Sequence, residues 1–165
     1  MLNKDDFSAL AHSRRSTRVF LPDLVSDADL AAVLEDGMSA PSWSNTRPFM
    51  FAIATGDQRD RISAALVARL QENAQIPGMG MNPDYTHETP YPPGLIERSQ
   101  RVGKGIYDTL GIDRADKESR FRFMQRNYEF FGAPVALFFF AHRGLGHFGT
   151  LDLGLFMEAA MLSAE

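Results

Sequence analysis

Apolar and polar positions alternate along this chain in several distinct rhythms. Residues 5–13 place Phe7, Leu10 and Ala11 on one side, which is the spacing of a short amphipathic helix. Ser26-Asp27-Ala28-Asp29 then opens a second helix. Ser26 suits the N-cap, Asp29 stands where a capping-box acid belongs, and Leu30, Val33 and Leu34 form the apolar stripe that runs toward Gly37. Phe49 to Thr55 is short and almost wholly apolar, as a buried strand is. Asp57 is placed to cap a helix carrying Ile62, Ala65, Leu66 and Leu70. Leu95–Leu110 has helical spacing interrupted by Gly103 and Gly105, and 116–131 has it again through Phe121, Met124, Tyr128 and Phe131. A second buried strand follows Pro134 over Val135–Ala141, and a last helix opens at Gly149 or Thr150.

That last helix breaks the amphipathic rule. Leu151, Leu153, Leu155, Phe156, Met157, Ala159, Ala160, Met161 and Leu162 cover nearly its whole circumference, and only Asp152 and Glu158 interrupt them. A helix apolar all round is expected to be buried on every side. It and the helix after Ser26 are therefore expected in the core or in a subunit interface. Two strands make a poor sheet alone, because three or more are normally needed. Terminal Glu165 also lies inside the helical pattern with no stop signal. The expectation is an α+β fold, helices around a small, mainly antiparallel sheet, that draws on structure from a longer chain, from a partner in an intertwined dimer, or from both.

Composition narrows the function. At 165 residues the chain can form one domain with a real core. The formal charge of −4 argues against a general nucleic-acid binder. With no cysteine, a thiolate nucleophile, Cys-ligated zinc and an iron–sulfur cluster are excluded. No apolar run approaches a membrane span and no signal core opens the chain, so the default is a soluble cytoplasmic protein. Residues 77–94 hold five of the nine prolines and read as a long loop, in which Met79 and Met81 are either a soft lid or loop filler.

The candidate chemistry is concentrated in a few places. Arg14-Arg15-Ser16-Thr17-Arg18 puts three guanidinium forks and two hydroxyls just after the first helix. Such a set either grips an anion through several donors or forms a solvated turn whose charges offset the helix's negative end. Trp43 stands alone in the loop 40–48, where an indole either stacks on a planar ligand or closes a core edge. On its own, the core reading is the simpler one. Gly144–Gly149 matches G-x-G-x-x-G, but residues intervene before the first glycine and no second parallel strand completes a βαβ unit. His12, His87, His142 and His147 have no carboxylate at a ligand-like spacing, so no metal site is expected. No serine lies in a nucleophile elbow.

Taken together, Arg14–Arg18, the segment Ala40-Pro41-Ser42-Trp43-Ser44-Asn45-Thr46-Arg47-Pro48-Phe49 about two dozen residues later, and Arg126-Asn127-Tyr128-Glu129-Phe130-Phe131-Gly132-Ala133-Pro134-Val135 resemble the flavin-dependent nitroreductase family. The stretch from Arg101-Val102-Gly103 through Leu110-Gly111-Ile112 is similar to the subgroup containing nitrobenzoate reductases. The resemblance covers essentially the whole chain. It implies a single nitroreductase-like domain over 1–165, with an insert or lid at 77–115. It also implies a homodimer with FMN at the subunit interface and ping-pong hydride transfer from NAD(P)H to a nitroaromatic or quinone-type acceptor. Arg14, Arg15, Ser16 and Arg18 match the motif that contacts the phosphate, ribityl chain and pyrimidine edge. Asn127 matches a residue at the flavin's polar edge. Pro41, Ser42, Trp43, Ser44 and Asn45 match the segment that the other subunit lays against the flavin. No acid–base pair is demanded, because the cofactor carries the chemistry. Relatives continue for several tens of residues past the last helix seen here, which leaves the alternative of a truncated, non-catalytic relative serving as a dimerising or ligand-binding subunit.

Overall fold

The computed structural model describes residues 3–74 and 91–165. Helices α1 (Lys4–Ser13) and α2 (Asp27–Met38) precede strand β1 (Phe49–Thr55). Helices α3 (Gly56–Ala74), α4 (Leu95–Leu110) and α5 (Lys117–Gln125) follow, then strand β2 (Val135–Ala141) and helix α6 (Gly146–Ser163). Met79, Met81 and His87 lie outside the described residues. Two compact units are present, Met1–Arg59 with Gly132–Glu165, and Asp60–Phe131.

In the first unit, β1 and β2 pair antiparallel with Phe51 opposite Phe139. The side chain of Ser26 caps α2 as expected, accepting from the Asp29 N–H at 3.1 Å, and Asn3 caps α1. The core is built around Phe156, which is completely buried. Its ring meets Phe49 at 4.9 Å, Phe139 at 5.6 Å and Phe51 at 5.8 Å between centroids. Val33, Leu34 and Met38 of α2 pack against this cluster from the helix side.

Gly37 makes that approach possible. A Cβ built on it would lie 2.9 Å from Cζ of Phe156, closer than carbon atoms pack. Gly37→Ala should therefore destabilise the protein by about 1–2 kcal/mol, because overpacking against an immobile ring exceeds the roughly 1 kcal/mol that alanine contributes to a helix. Urea unfolding would check the sign.

Within one copy of the chain the last helix is buried on one side only, so the core accounts for part of the burial expected of it and a subunit interface is left for the rest. Gly149, Asp152, Phe156 and Ala160 form one buried face, whereas Leu151, Leu155, Met157 and Met161 are exposed. Among the described residues, one side of α6 is covered and the other is not. The helix also begins earlier than expected, at Gly146. The Nδ1 atom of His142 accepts from the Gly144 N–H at 3.0 Å, and Gly146 takes a φ of 52° at the turn into the helix. With β2 antiparallel to β1, the glycine motif here is a strand-to-helix turn outside any βαβ unit.

In the second unit, α4 runs unbroken through Gly103 and Gly105. It stops at Gly111, whose φ of 66° allows the Ile112 N–H to reach back to the Tyr107 carbonyl at 2.9 Å. Tyr107 meets Phe123 edge-on at 5.9 Å, and the Arg120 guanidinium lies 5.0 Å over the Tyr107 ring. Asp116 caps α5, and the Ser119 N–H that its carboxylate accepts holds it below the usual carboxylate range. The helix expected over 116–131 ends at Gln125. There the Asn127 side chain donates to the Met124 carbonyl at 2.8 Å, tight turns replace the helical ladder, and Phe130 and Phe131 adopt positive φ. No described helix is long and apolar enough to cross a membrane.

Candidate functional site

The arginine segment begins where α1 ends. Arg14 is the C-cap residue, with extended backbone at φ −51° and ψ 130°, so the chain leaves the helix axis at once. Nη1 of Arg15 donates to the carbonyls of His12 and Arg14, the latter at 3.0 Å. Arg18 donates to the Ser16 carbonyl at 2.9 Å. One role foreseen for this cluster, covering the carbonyl end of a helix, is thus filled by Arg15. The other role is left open by the same geometry. Among the described residues, the Arg14 side chain makes no hydrogen bond, and neither Arg14 nor Arg15 is paired with a carboxylate. Uncompensated guanidinium groups beside the Ser16 hydroxyl are a donor set suited to phosphate.

The loop Pro41–Pro48 lies in the same unit. A 3-10 turn spans Trp43–Asn45. Ser44, Asn45 and Arg47 have φ of 52°, 55° and 46°, left-handed values that side chains adopt at a cost. Local bonds hold this shape: Ser42 Oγ accepts from the Arg47 N–H at 2.9 Å, and the Thr46 hydroxyl donates to the Trp43 carbonyl at 3.0 Å. Trp43 is not a core residue as its isolated position suggested. It is 58% exposed and stacks on Phe148 of α6, with centroids 4.5 Å apart and planes 25° apart. Pro41, Ser44 and Asn45 are exposed and Ser42 is half-buried, so most of the segment faces outward.

Asp152 is the residue that sequence reasoning passed over. It appears in the apolar helix as a mere interruption, yet it is 3% exposed and both of its oxygens accept from the Trp43 N–H, at 3.0 and 3.1 Å. Its one detectable signal was an acid, one of two with Glu158, within a long apolar run. Asn127 belongs to the second unit, where it is exposed just past the end of α5. Among the described residues, no group of three or more His, Asp or Glu side chains could hold a metal ion.

Comparison with known proteins supplies the wider frame. A family model described as "Nitroreductase family" matches residues 11–165. The chain is 33% identical over 161 residues to a 4-nitrobenzoate reductase of Pseudomonas putida, covering 98% of this chain and 68% of that protein. It is 33% identical over 160 residues to the nitrobenzene nitroreductase of Ectopseudomonas oleovorans, covering 94% and 67% respectively. Among solved structures it resembles the FMN-dependent nitroreductase NfnB from Mycobacterium smegmatis in complex with NADPH, with a TM-score of 0.87 at 29% identity. That match covers 95% of this chain and 68% of the other. The chain thus spans about two thirds of the length of these relatives.

Proposed function

The chain belongs to the nitroreductase family, and on that premise we propose that it is an FMN-dependent oxidoreductase moving a hydride from NAD(P)H to a nitroaromatic or quinone-type acceptor. The observation that carries this reading is the reach of the family match: residues 11–165 include the arginine segment, the strained loop and Asn127. The donor chemistry fits the cofactor, since Arg14 and Arg15 are cations without a carboxylate partner among the described residues.

In this reading Arg14, Arg15, Ser16 and Arg18 bind the phosphate, the ribityl chain and the pyrimidine edge. Pro41, Ser42, Trp43, Ser44 and Asn45 lie against the flavin of the partner subunit, and Asn127 is assigned to the polar edge on its motif match alone. When bound, FMN supplies the hydride chemistry, accepting from the nicotinamide and passing on to the acceptor in turn. The protein's own task is to hold the cofactor by its charged end and to keep planar faces available beside it.

A homodimer follows from the same premise. The exposed face of α6, with Leu151, Leu155, Met157 and Met161, is the apolar surface that a second copy would cover. We further read the chain as one nitroreductase-like domain with an insert at 77–115, of which 77–90 lies outside the described residues, and the protein as cytoplasmic.

The decisive experiment reconstitutes the purified chain with FMN, records the visible spectrum after desalting, and follows NADPH oxidation with 4-nitrobenzoate. A yellow protein with acceptor-dependent NADPH consumption is expected. A colourless protein that takes up no FMN would overturn the reading. Flavin uptake without turnover would identify a ligand-binding relative instead.

A further inference from the structure

Asp152 is an expensive residue to keep. A carboxylate sealed from water inside an otherwise apolar helix loses its hydration, and such a loss is offset only by good hydrogen bonds. Among the described residues Asp152 has a single donor, the Trp43 N–H, shared between both oxygens. A carboxylate can accept about four hydrogen bonds. A general folding role does not account for a buried charge used this sparingly, because an apolar residue of similar volume would pack the helix as well or better.

What the bond does locally is specific. The loop's other hydrogen bonds run within the loop itself, from Arg47 to Ser42, from Asn45 to Ser42 and from Thr46 to Trp43. Those bonds shape the turn but do not fix where it sits. Asp152 ties it to α6, and Phe148, four residues earlier on the same face of that helix, takes the indole of Trp43. Backbone and side chain of one residue are therefore gripped by two adjacent turns of one helix. Strained left-handed conformations at Ser44, Asn45 and Arg47 persist only where the surroundings over-determine them.

We propose that Asp152 is a positioning residue: with Phe148 it mounts the Ser42–Arg47 loop on α6 and thereby fixes the surface which that loop presents to the flavin. The loop's contact with flavin rests on the function proposed above; the mounting itself does not.

The chain provides its own probe, because Trp43 is its only tryptophan. Acrylamide quenching of Trp43 fluorescence is measured in the FMN-free protein, together with FMN affinity and the thermal midpoint by circular dichroism. Three variants are compared. Asp152→Leu removes the acceptor, Asp152→Glu keeps the charge but displaces the oxygens by a methylene, and Asp152→Asn keeps one acceptor in place. Quenching is expected to rise about twofold in the Leu and Glu variants and FMN affinity to fall about tenfold, the scale of a lost hydrogen bond to a charged group. The thermal midpoint of Asp152→Leu should hold or rise, and Asp152→Asn should stay within about threefold of wild type in affinity. Unchanged quenching in both the Leu and Glu variants would overturn the proposal. So would a fall in thermal midpoint with quenching unchanged, which is the pattern of a purely structural residue. If Asp152→Leu does not fold, Asp152→Glu decides. Failure of the wild type to bind FMN would remove the flavin reading and the flavin half of this proposal, while the quenching data would still judge the mounting.

Discussion

Phe156→Ala should cost about 3–5 kcal/mol of stability, the largest single-site effect expected in this chain. The ring is fully buried and touches three other aromatic rings, Phe49 and Phe51 of β1 and Phe139 of β2. Truncating it removes the transfer energy of the ring and leaves a cavity between a two-stranded sheet and a helix pair. The strands are hydrogen-bonded to one another and cannot easily collapse into that space. Small domains are stable by only about 5–15 kcal/mol, so the loss is a large share of the total. Equilibrium urea unfolding should show a clear fall in midpoint with little change in slope. The contact with α2 gives a sharper form of the test. Gly37→Ala is destabilising because its methyl would strike this ring. In a Phe156→Leu background the obstacle is smaller, and the penalty at position 37 should shrink or reverse. A double-mutant cycle should return a coupling of about 0.5–3 kcal/mol between the two positions. Simple additivity would show that α2 does not approach α6 through this pair.

Elements whose signal is local were legible in the sequence. The Ser26 cap, both strands and the starts of α1 and α2 depend on residues a few positions apart, and they fall close to where the pattern puts them. Features set by distant partners were not. Asp152 accepts from a residue 109 positions away, and nothing near it in sequence signals that bond. Trp43 looked like a core residue because its stacking partner, Phe148, lies on the last helix. The apolar pattern of α6 could not distinguish the face that packs on the sheet from the face left exposed, since Leu151, Leu155, Met157 and Met161 on the exposed side are as apolar as the buried Phe156 and Ala160. The early end of α5 was hidden for a different reason: the spacing of Tyr128 and Phe131 continues the helical stripe, but the Asn127 side chain takes the Met124 carbonyl and Phe130 and Phe131 turn left-handed. Periodicity reports which side chains are apolar, whereas the helix ends where a backbone carbonyl finds a better partner.

The arginine segment offered two readings from sequence, and a variant series can separate them. If Arg14 and Arg18 grip the FMN phosphate, replacing both by alanine should weaken FMN binding by at least about a hundredfold. Hydrogen bonds to charged groups are worth about 1.5–3 kcal/mol each, roughly ten- to a hundredfold in affinity. Arg→Lys at either position should recover part of the loss and no more, because an ammonium keeps the charge but loses the planar fork. Raising the salt concentration should weaken FMN binding to wild type more than to the double variant, whose remaining interaction is less ionic. Arg15 should behave differently. It already donates to carbonyls at the end of α1, so Arg15→Ala should lower helix stability as well as flavin affinity. Fluorescence titration with FMN, read beside thermal unfolding of the FMN-free chain, distinguishes these outcomes. Were the segment only a solvated turn, Arg14→Ala with Arg18→Ala would leave FMN affinity untouched. A loss of affinity at unchanged thermal midpoint requires that the guanidinium groups act on the ligand, since the folded scaffold around them would be the same.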